Sequence, residues 1–345
     1  MSYGEMSLTI IKFEQDEPCE VYDSLDKVGD ISPGVQVWVD IETDSIAELT
    51  SVASFFGFHE LTVEDCLTAG HFPKLDDYGA YLFMILRGFK PWSEVEEIWE
   101  SEDEDEVLDK EDANHLFTRK VAIYLSQNFI VTHRRKEIAW LDAIVRQVQQ
   151  NPERLLQDGT EGIAHRVIDV LVDRFMRGMV FFDNIIDTFE DLALADSEHF
   201  EVTDLFEVKR ELSFLRQIAR NQRALLGRLS TDPTLIQDNQ RRRYFKDIDD
   251  HAVAILRMLD KQIQAVMSIR DSYLALANVR LGDTMRILTV ITTIAAPMNI
   301  VVGLYGMNFD AIPLLHSRLG FWVILVLMVL VAIAMLAFFR KRKWI

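Results

Sequence analysis

Two stretches, ILTVITTIAAPMNIVVGLYG (Ile287–Gly306) and LGFWVILVLMVLVAIAMLAFF (Leu319–Phe339), decide the architecture of this 345-residue chain. Each is roughly 20 residues free of formal charge, and at about 1.5 Å per residue each reaches about 30 Å, the thickness of a bilayer's hydrocarbon core. Only about a dozen residues separate them, so the pair reads as a transmembrane hairpin with its two outer flanks on one side. Arg340, Lys341, Arg342 and Lys343 follow the second stretch, and Arg280 and Arg286 precede the first. The loop between the two carries Arg318, His316 and Asp310. Basic residues favour the cytoplasmic side, which puts both termini in the cytoplasm, with the hairpin in the cell's inner (plasma) membrane.

The first stretch is the less apolar of the two, and its polar and small residues are ordered. Gly282, Met285, Thr289, Thr292, Ala296, Asn299, Gly303 and Gly306 recur at steps of three and four, so they share one helix face. Ile287, Ile291, Ile294, Val301 and Val302 take the opposite face. Two readings stay open for the polar stripe. It is a small-residue contact between helices, or it is the wall of an aqueous pore, where water satisfies hydroxyls and amides. Two spans cannot enclose water alone, so the pore reading requires several copies about an axis.

Working outward, hydrophobic residues make up 49% of the chain, yet it carries a formal net charge of −19 and a mean hydropathy near zero (+0.05). The two properties are segregated: the long apolar runs follow Arg286 and most of the acid precedes it. An acidic body is a poor partner for nucleic acid, which needs a basic face, and a better one for metal cations. Cys19 and Cys66 match no metal or redox spacing, consistent with a reduced cytosolic compartment. The opening MSYGEMSLTIIKFEQDE lacks the basic and apolar regions of a signal peptide.

Residues 1–135 read as an α/β cytoplasmic domain. Leu8–Phe13, Val35–Ile41, Tyr81–Phe89, Lys120–Leu125 and Phe129–His133 have strand character, and Ile46–Phe56 and Leu61–Leu67 have that of short helices. The acidic run Ser93–Asp112 is either a solvated loop or a weak cation reservoir. Residues 136–232 form a long-helix hairpin, closed by the turn-like Ser230–Pro233, and 233–286 a stalk helix. There Ala252, Ile255, Leu259, Gln262, Val266, Ile269, Tyr273 and Leu276 form a seam suited either to self-association or to packing on the chain's own helices. The first span (287–306), an outer loop (307–318), the second span (319–339) and a basic tail (340–345) complete the chain.

Tyr305-Gly306-Met307-Asn308 stands at the outer end of the first span. With LTVEDCLTAGHFPKLDDYGAYLFMILR, YFKDIDDH and the RKRKW tail, it makes the chain resemble the CorA family of magnesium and cobalt channels along essentially its whole length. The resemblance implies a homopentameric funnel that takes up Mg²⁺, with Co²⁺ and Ni²⁺ as similar cargo. It makes Gly306, Met307 and Asn308 the selectivity motif, and Met285, Thr289, Ala296, Asn299 and Gly303 pore-lining. It also implies a regulatory Mg²⁺ ligated by Asp247 between subunits, with Asp249, Asp250 and His251 as possible contributors, and no organic cofactor. Mg²⁺ prefers six oxygens and sheds water reluctantly, so an amide oxygen at Asn308 and bare carbonyls beside Gly306 suit a hydrated ion.

The chain departs from the family pattern where Ala296 replaces a common methionine, Asn299 a threonine and Gly282 an asparagine, which would either widen a hydrophobic gate or move it towards Met285 or Leu288. IPLL in place of MPEL leaves Asp310 as the outer loop's acid. The alternatives are a zinc-transporting relative of the same superfamily and, from another class, a membrane-anchored acidic scaffold or sensor. An enzyme is the least supported reading, since no phosphate-binding glycine loop, H-E-x-x-H or nucleophile elbow is present.

Overall fold

A computed structural model describes residues 7–14, 19–29, 31, 34–68, 70–90, 117–150, 158–195, 200–307, 312–314, 317 and 319–344. The acidic run Ser93–Asp112 lies outside them. The chain divides into two compact units, Met1–Met267 and Ser268–Ile345.

In the first unit, seven strands make one sheet: β1 (Ser7–Glu14), β2 (Glu20–Tyr22), β3 (Val35–Glu42), β4 (Lys74–Asp77), β5 (Leu82–Phe89), β6 (Thr118–Leu125) and β7 (Phe129–Arg134), in the order β2-β1-β3-β7-β6-β5-β4. All neighbours are antiparallel except β3 and β7, where Val37 lies opposite Phe129 and Ile41 opposite His133. The five strands expected from alternation and apolar runs are all present. The two that sequence pattern missed, β2 and β4, are short polar edge strands (EVY and KLDD), too brief to show a period.

One sheet face carries Val37, Val39, Ile41, Phe83, Ile85, Ala122, Tyr124 and Val131, which meet Leu49, Val52, Phe58 and Cys66 from α1 (Ile46–Phe56), α2 (Glu60–Leu67) and the turn between them. Gly57 makes that turn possible: at φ 71° it sits in the left-handed region that ends a helix, and Phe58 N–H closes on Ala53 O at 2.8 Å. The other face is covered by α3 (Ala139–Gln150) and α4 (Gly159–Ala195). A Cβ on Gly88 of β5 would meet Leu171 at 3.2 Å and Trp140 at 3.6 Å, and one on Gly178 of α4 would meet the Phe89 ring at 2.5 Å. With both faces covered, β5 reads LFMILRGF and is buried throughout. Each such aliphatic side chain contributes about 1.5–3 kcal/mol of burial.

Two polar groups fasten the layers. Asp40 and Arg134 pair at 3.1 Å in the interior, Thr132 Oγ1 donates to Asp40 at 2.5 Å, and Arg134 reaches on to Asp142, so β3, β7 and α3 share one charge network. Burial, opposed by Arg134, pushes the Asp40 carboxyl up to about 6. Beyond the end of β4, the Arg87 N–H of β5 donates to Gln222 Oε1 at 3.1 Å, from α5 (Val202–Thr231).

A third long helix, α6 (Asn239–Tyr305), runs for 67 residues. Its start is capped by Asp238, whose carboxylate accepts from Gln240 N–H at 2.8 Å. The Ser230–Pro233 turn does not open it: Ser230 and Thr231 complete α5, and Asp232 turns the chain by accepting from Thr234 N–H at 2.9 Å. Glu161–Arg241 (2.8 Å), Asp173–His251 (3.7 Å) and Asp183–Gln262 (2.9 Å) link α4 to α6 at a nearly constant sequence offset, so the two run parallel. Arg216–Asp260 (3.2 Å) and Arg223–Asp249 (3.5 Å) show that α5 runs against them. In the second unit, the last part of α6 is followed by α7 (Gly320–Lys341).

Candidate functional site

The polar stripe lies on one continuous helix. Gly282, Met285, Thr289, Thr292, Ala296, Asn299 and Gly303 belong to α6, Gly306 follows directly, and all eight are exposed. The covered side of this segment is a different one. Val290 is buried, and Thr293, Ile294, Pro297, Val301 and Tyr305 are half-buried. Thr293 shares a groove with Val331, Ala334 and Met335 of α7, and Val301 and Tyr305 share another with Phe321, Ile324 and Met328. Apart from Gly306, which lines the second groove, the stripe is therefore not where the first span meets the second. The opposite apolar face divides: Ile294 and Val301 are half-buried, whereas Ile287, Ile291 and Val302 stay exposed.

Local chemistry sets what the stripe presents. Thr289 Oγ1 donates to Met285 O at 2.7 Å, and Thr292 Oγ1 donates to Leu288 O at 2.9 Å. Each hydroxyl proton is thus held by the helix backbone, leaving the oxygen lone pairs outward as acceptors. Water bound to a cation points its hydrogens outward, so this surface complements a hydrated cation. A Cβ at Gly282 or Gly303 would meet nothing within 4 Å, so packing within the chain does not require glycine at either place. Pro297, whose significance the sequence pattern left unread, removes the N–H that would close on Thr293 O, yet the helix continues through it.

At the C-terminal end of α6, Gly306 N–H closes on Val302 O at 2.9 Å and Met307 N–H on Leu304 O at 3.4 Å. Tyr305 Oη donates to Pro313 O at 3.2 Å and ties the following loop to this end. The last turn of a helix leaves carbonyls without intrahelical partners and carries the negative end of the dipole, an arrangement that favours a cation. Asn308 and Asp310 lie outside the described residues, as do His316 and Arg318.

The acidic segment of α6 is sorted by the fold. Asp247 is exposed and makes no hydrogen bond or ion pair among the described residues, and it lies near enough to His165 to act on it electrostatically. Asp249 is buried, held by Lys246 at 2.8 Å with Arg223 at 3.5 Å, and Asp250 pairs with the same Lys246 at 2.9 Å. Both are committed within the chain. His251 turns towards α4, where its ligand atom lies within 4.8 Å of those of Asp169 and Asp173. Sequence reading named His251 but missed the two aspartates; their spacing of four in VIDVLVD was the available signal. Two carboxylates and an imidazole suit first-row transition ions better than Mg²⁺, which prefers oxygen throughout. Nearby, burial against Tyr244 and Phe245 lowers the His165 pKa, against the pull of Asp169 and Asp247.

The seam of α6 is used within the chain over its first part. Ala252, Ile255, Leu259, Gln262, Val266 and Ile269 are buried, and Gln262 Nε2 donates to Met179 O at 2.8 Å and Asp183 at 2.9 Å. Tyr273 and Leu276 are half-buried. Arg340 and Lys341 close α7, with Arg342 and Lys343 exposed after it.

A family profile described as "CorA-like Mg2+ transporter protein" matches residues 34–341. The putative metal ion transporter YfjQ of Bacillus subtilis is 27% identical over 89% of this chain and 89% of its own length. The cobalt/magnesium transport protein CorA of Thermotoga maritima is 27% identical over 85% and 79% respectively. Zinc transport protein ZntB of Yersinia pseudotuberculosis matches at 19% over 65% of the chain. Among solved structures, the CorA magnesium transporter of Methanocaldococcus jannaschii superposes with a TM-score of 0.80 at 19% identity, covering 98% of this chain and 99% of that one. That likeness extends the shared fold through the long helix and both apolar helices.

Proposed function

This chain belongs to the CorA-like Mg²⁺ transporter family, and from that premise we propose that it is one subunit of a homo-oligomeric Mg²⁺ channel, pentameric by resemblance, in the cell's inner membrane with both termini cytoplasmic. Copies of the Gly282–Gly306 stripe line the water path, with Thr289, Thr292 and Asn299 offering acceptors to a hydrated ion. Gly306, Met307 and Asn308 form the outer mouth, where several helix C-termini converge and Asn308 supplies an amide oxygen. Co²⁺ and Ni²⁺, as similar hydrated octahedra, pass by the same route. The membrane potential draws a divalent cation inward by about 4–5 kcal/mol per 100 mV. Asp247, which makes no hydrogen bond or ion pair among the described residues, would hold a cytosolic Mg²⁺ against a neighbouring subunit and favour closure by neutralising crowded carboxylates.

The observation that carries this reading is the uncovered stripe. A mid-membrane amide facing hydrocarbon costs several kcal/mol, whereas facing water it costs little. The test is Mg²⁺ flux into liposomes holding the purified protein, with and without cobalt hexammine, and with Asn308→Ala. Flux that hexammine blocks and that Asn308→Ala lowers sharply, with assembly unchanged, is expected. Absence of flux would leave the scaffold reading, and Zn²⁺ flux far above Mg²⁺ flux would move the chain to the zinc branch.

A further inference from the structure

The inner end of α7 carries a cap that is not part of the ion path proposed above. The helix ends in a Schellman motif: Trp344 N–H closes on Phe339 O at 3.1 Å and Lys343 N–H on Arg340 O at 3.0 Å. Lys343 sits at φ 57°, the left-handed position where glycine is the ordinary choice and a side chain costs about 1–2 kcal/mol. A lysine is nonetheless there. The cap also folds two tail side chains back onto the last aromatic turn. The Trp344 ring packs on Phe339 with centroids 5.6 Å apart, and the Arg342 guanidinium lies 5.7 Å over the Phe338 ring.

Phe338 and Phe339 are also the inner end of an apolar groove between α6 and α7, lined further by Thr293, Val331, Ala334 and Met335. From Val331 to Phe339 the groove runs about 12 Å along α7 at 1.5 Å per residue, towards the middle of the bilayer. One end is therefore apolar and the other holds a guanidinium over an aromatic face. Charge follows the same division. The chain as a whole carries −19, yet no acid follows Asp310, and Arg340–Lys343 are four consecutive cations.

We propose that this groove and its cap form a binding site for one anionic glycerophospholipid of the inner leaflet, with an acyl chain along Val331–Phe338 and the phosphate at Arg342, flanked by Arg340 and Lys343. The four cations that hold the lipid would also offset the repulsion between an acidic protein and an anionic leaflet. The inference rests on the hairpin lying in a bilayer and not on ion flux, so either can fail without the other.

The experiment measures binding of phosphatidylglycerol and of phosphatidylcholine with identical acyl chains to the full-length protein in detergent, by native mass spectrometry. The wild type should prefer phosphatidylglycerol by about tenfold. Arg342→Gln with Lys343→Gln should reduce that preference to near parity, and Ala334→Trp, which fills the groove without touching charge, should weaken both lipids. Equal affinity of the wild type for the two lipids overturns the proposal, and that comparison needs no variant. So does glycerol phosphate competing as well as the whole lipid, which would reduce the site to an anion patch. A change of oligomeric state in Ala334→Trp with lipid binding intact would assign the groove to a second copy instead.

Discussion

One helix carries two stripes with the same three- and four-residue spacing and opposite fates. From Ala252 to Val266, α6 presents Ala, Ile, Leu, Gln and Val, and every one is buried. From Gly282 to Gly306 it presents Gly, Met, Thr, Ala and Asn, and every one is exposed. Spacing alone identifies a face. Which partner the face meets depends on its chemistry and on what the rest of the chain places against it. The first stripe is apolar apart from Gln262, whose amide N–H₂ donates to Met179 O and Asp183 while its buried Oε1 meets no donor among the described residues. The second carries side-chain acceptors that meet no donor among the described residues.

The largest expected effect is on the buried stripe. Leu259→Ala removes a fully buried side chain and should cost about 2–5 kcal/mol of stability, read as a lower urea midpoint, while the ion preference of the folded remainder stays the same. A loss of ion preference with stability intact would erase the contrast between the stripes. The buried unit should also answer to acid through His133. Burial holds this imidazole's pKa down to about 4 from 6.5, and its Nε2 lies 2.9 Å from Thr43 O. Between those values the unfolded chain takes up a proton that the folded one refuses, so stability falls as pH drops from 6.5 towards 4. Relative to His133→Gln, the wild type should lose up to about 3 kcal/mol over that window, with denaturation at pH 7 and pH 4.5 as the measurement.

The exposed stripe should behave in the reverse sense. Asn299→Leu should leave unfolding within about 0.5 kcal/mol of wild type and lower Mg²⁺ flux about tenfold, equivalent to 1.4 kcal/mol. A destabilised protein with normal flux would mean that Asn299 is a packing residue. Asp247→Ala should give the smallest effect, a shift of a few-fold in the internal Mg²⁺ concentration at which flux stops. An unchanged dependence would remove Asp247 from closure, and Asp169, Asp173 and His251 would be the next residues to change.

Legibility in the sequence followed pattern length. The helix Ile46–Phe56 and the five longer strands were readable because burial on one or both faces imposes a period or an apolar run over several residues. β2 and β4 were not, because three or four polar residues at a sheet edge carry neither. Asp249 and Asp250 read as possible metal ligands; Lys246, three and four positions before them on the same helix, pairs with both, and α5 running against α6 adds Arg223 beside Asp249. Asp169 and Asp173 were invisible as partners of His251 for the same reason. They lie about eighty positions away, and only the parallel register of α4 and α6 brings them together.

The amino-acid sequence by itself determined the two membrane-length helices, the polar stripe and its spacing, the Gly306-Met307-Asn308 motif and the charge division along the chain. These are local properties, set by hydropathy and helical period. Tertiary structure alone decided that Arg223 meets Asp249, that His251 meets Asp169 and Asp173, that the seam of α6 is used within the chain, and that the polar stripe, Gly306 apart, is not the contact between the two spans. Those outcomes turn on which helix faces meet, and contact between distant segments has no signature in any one of them.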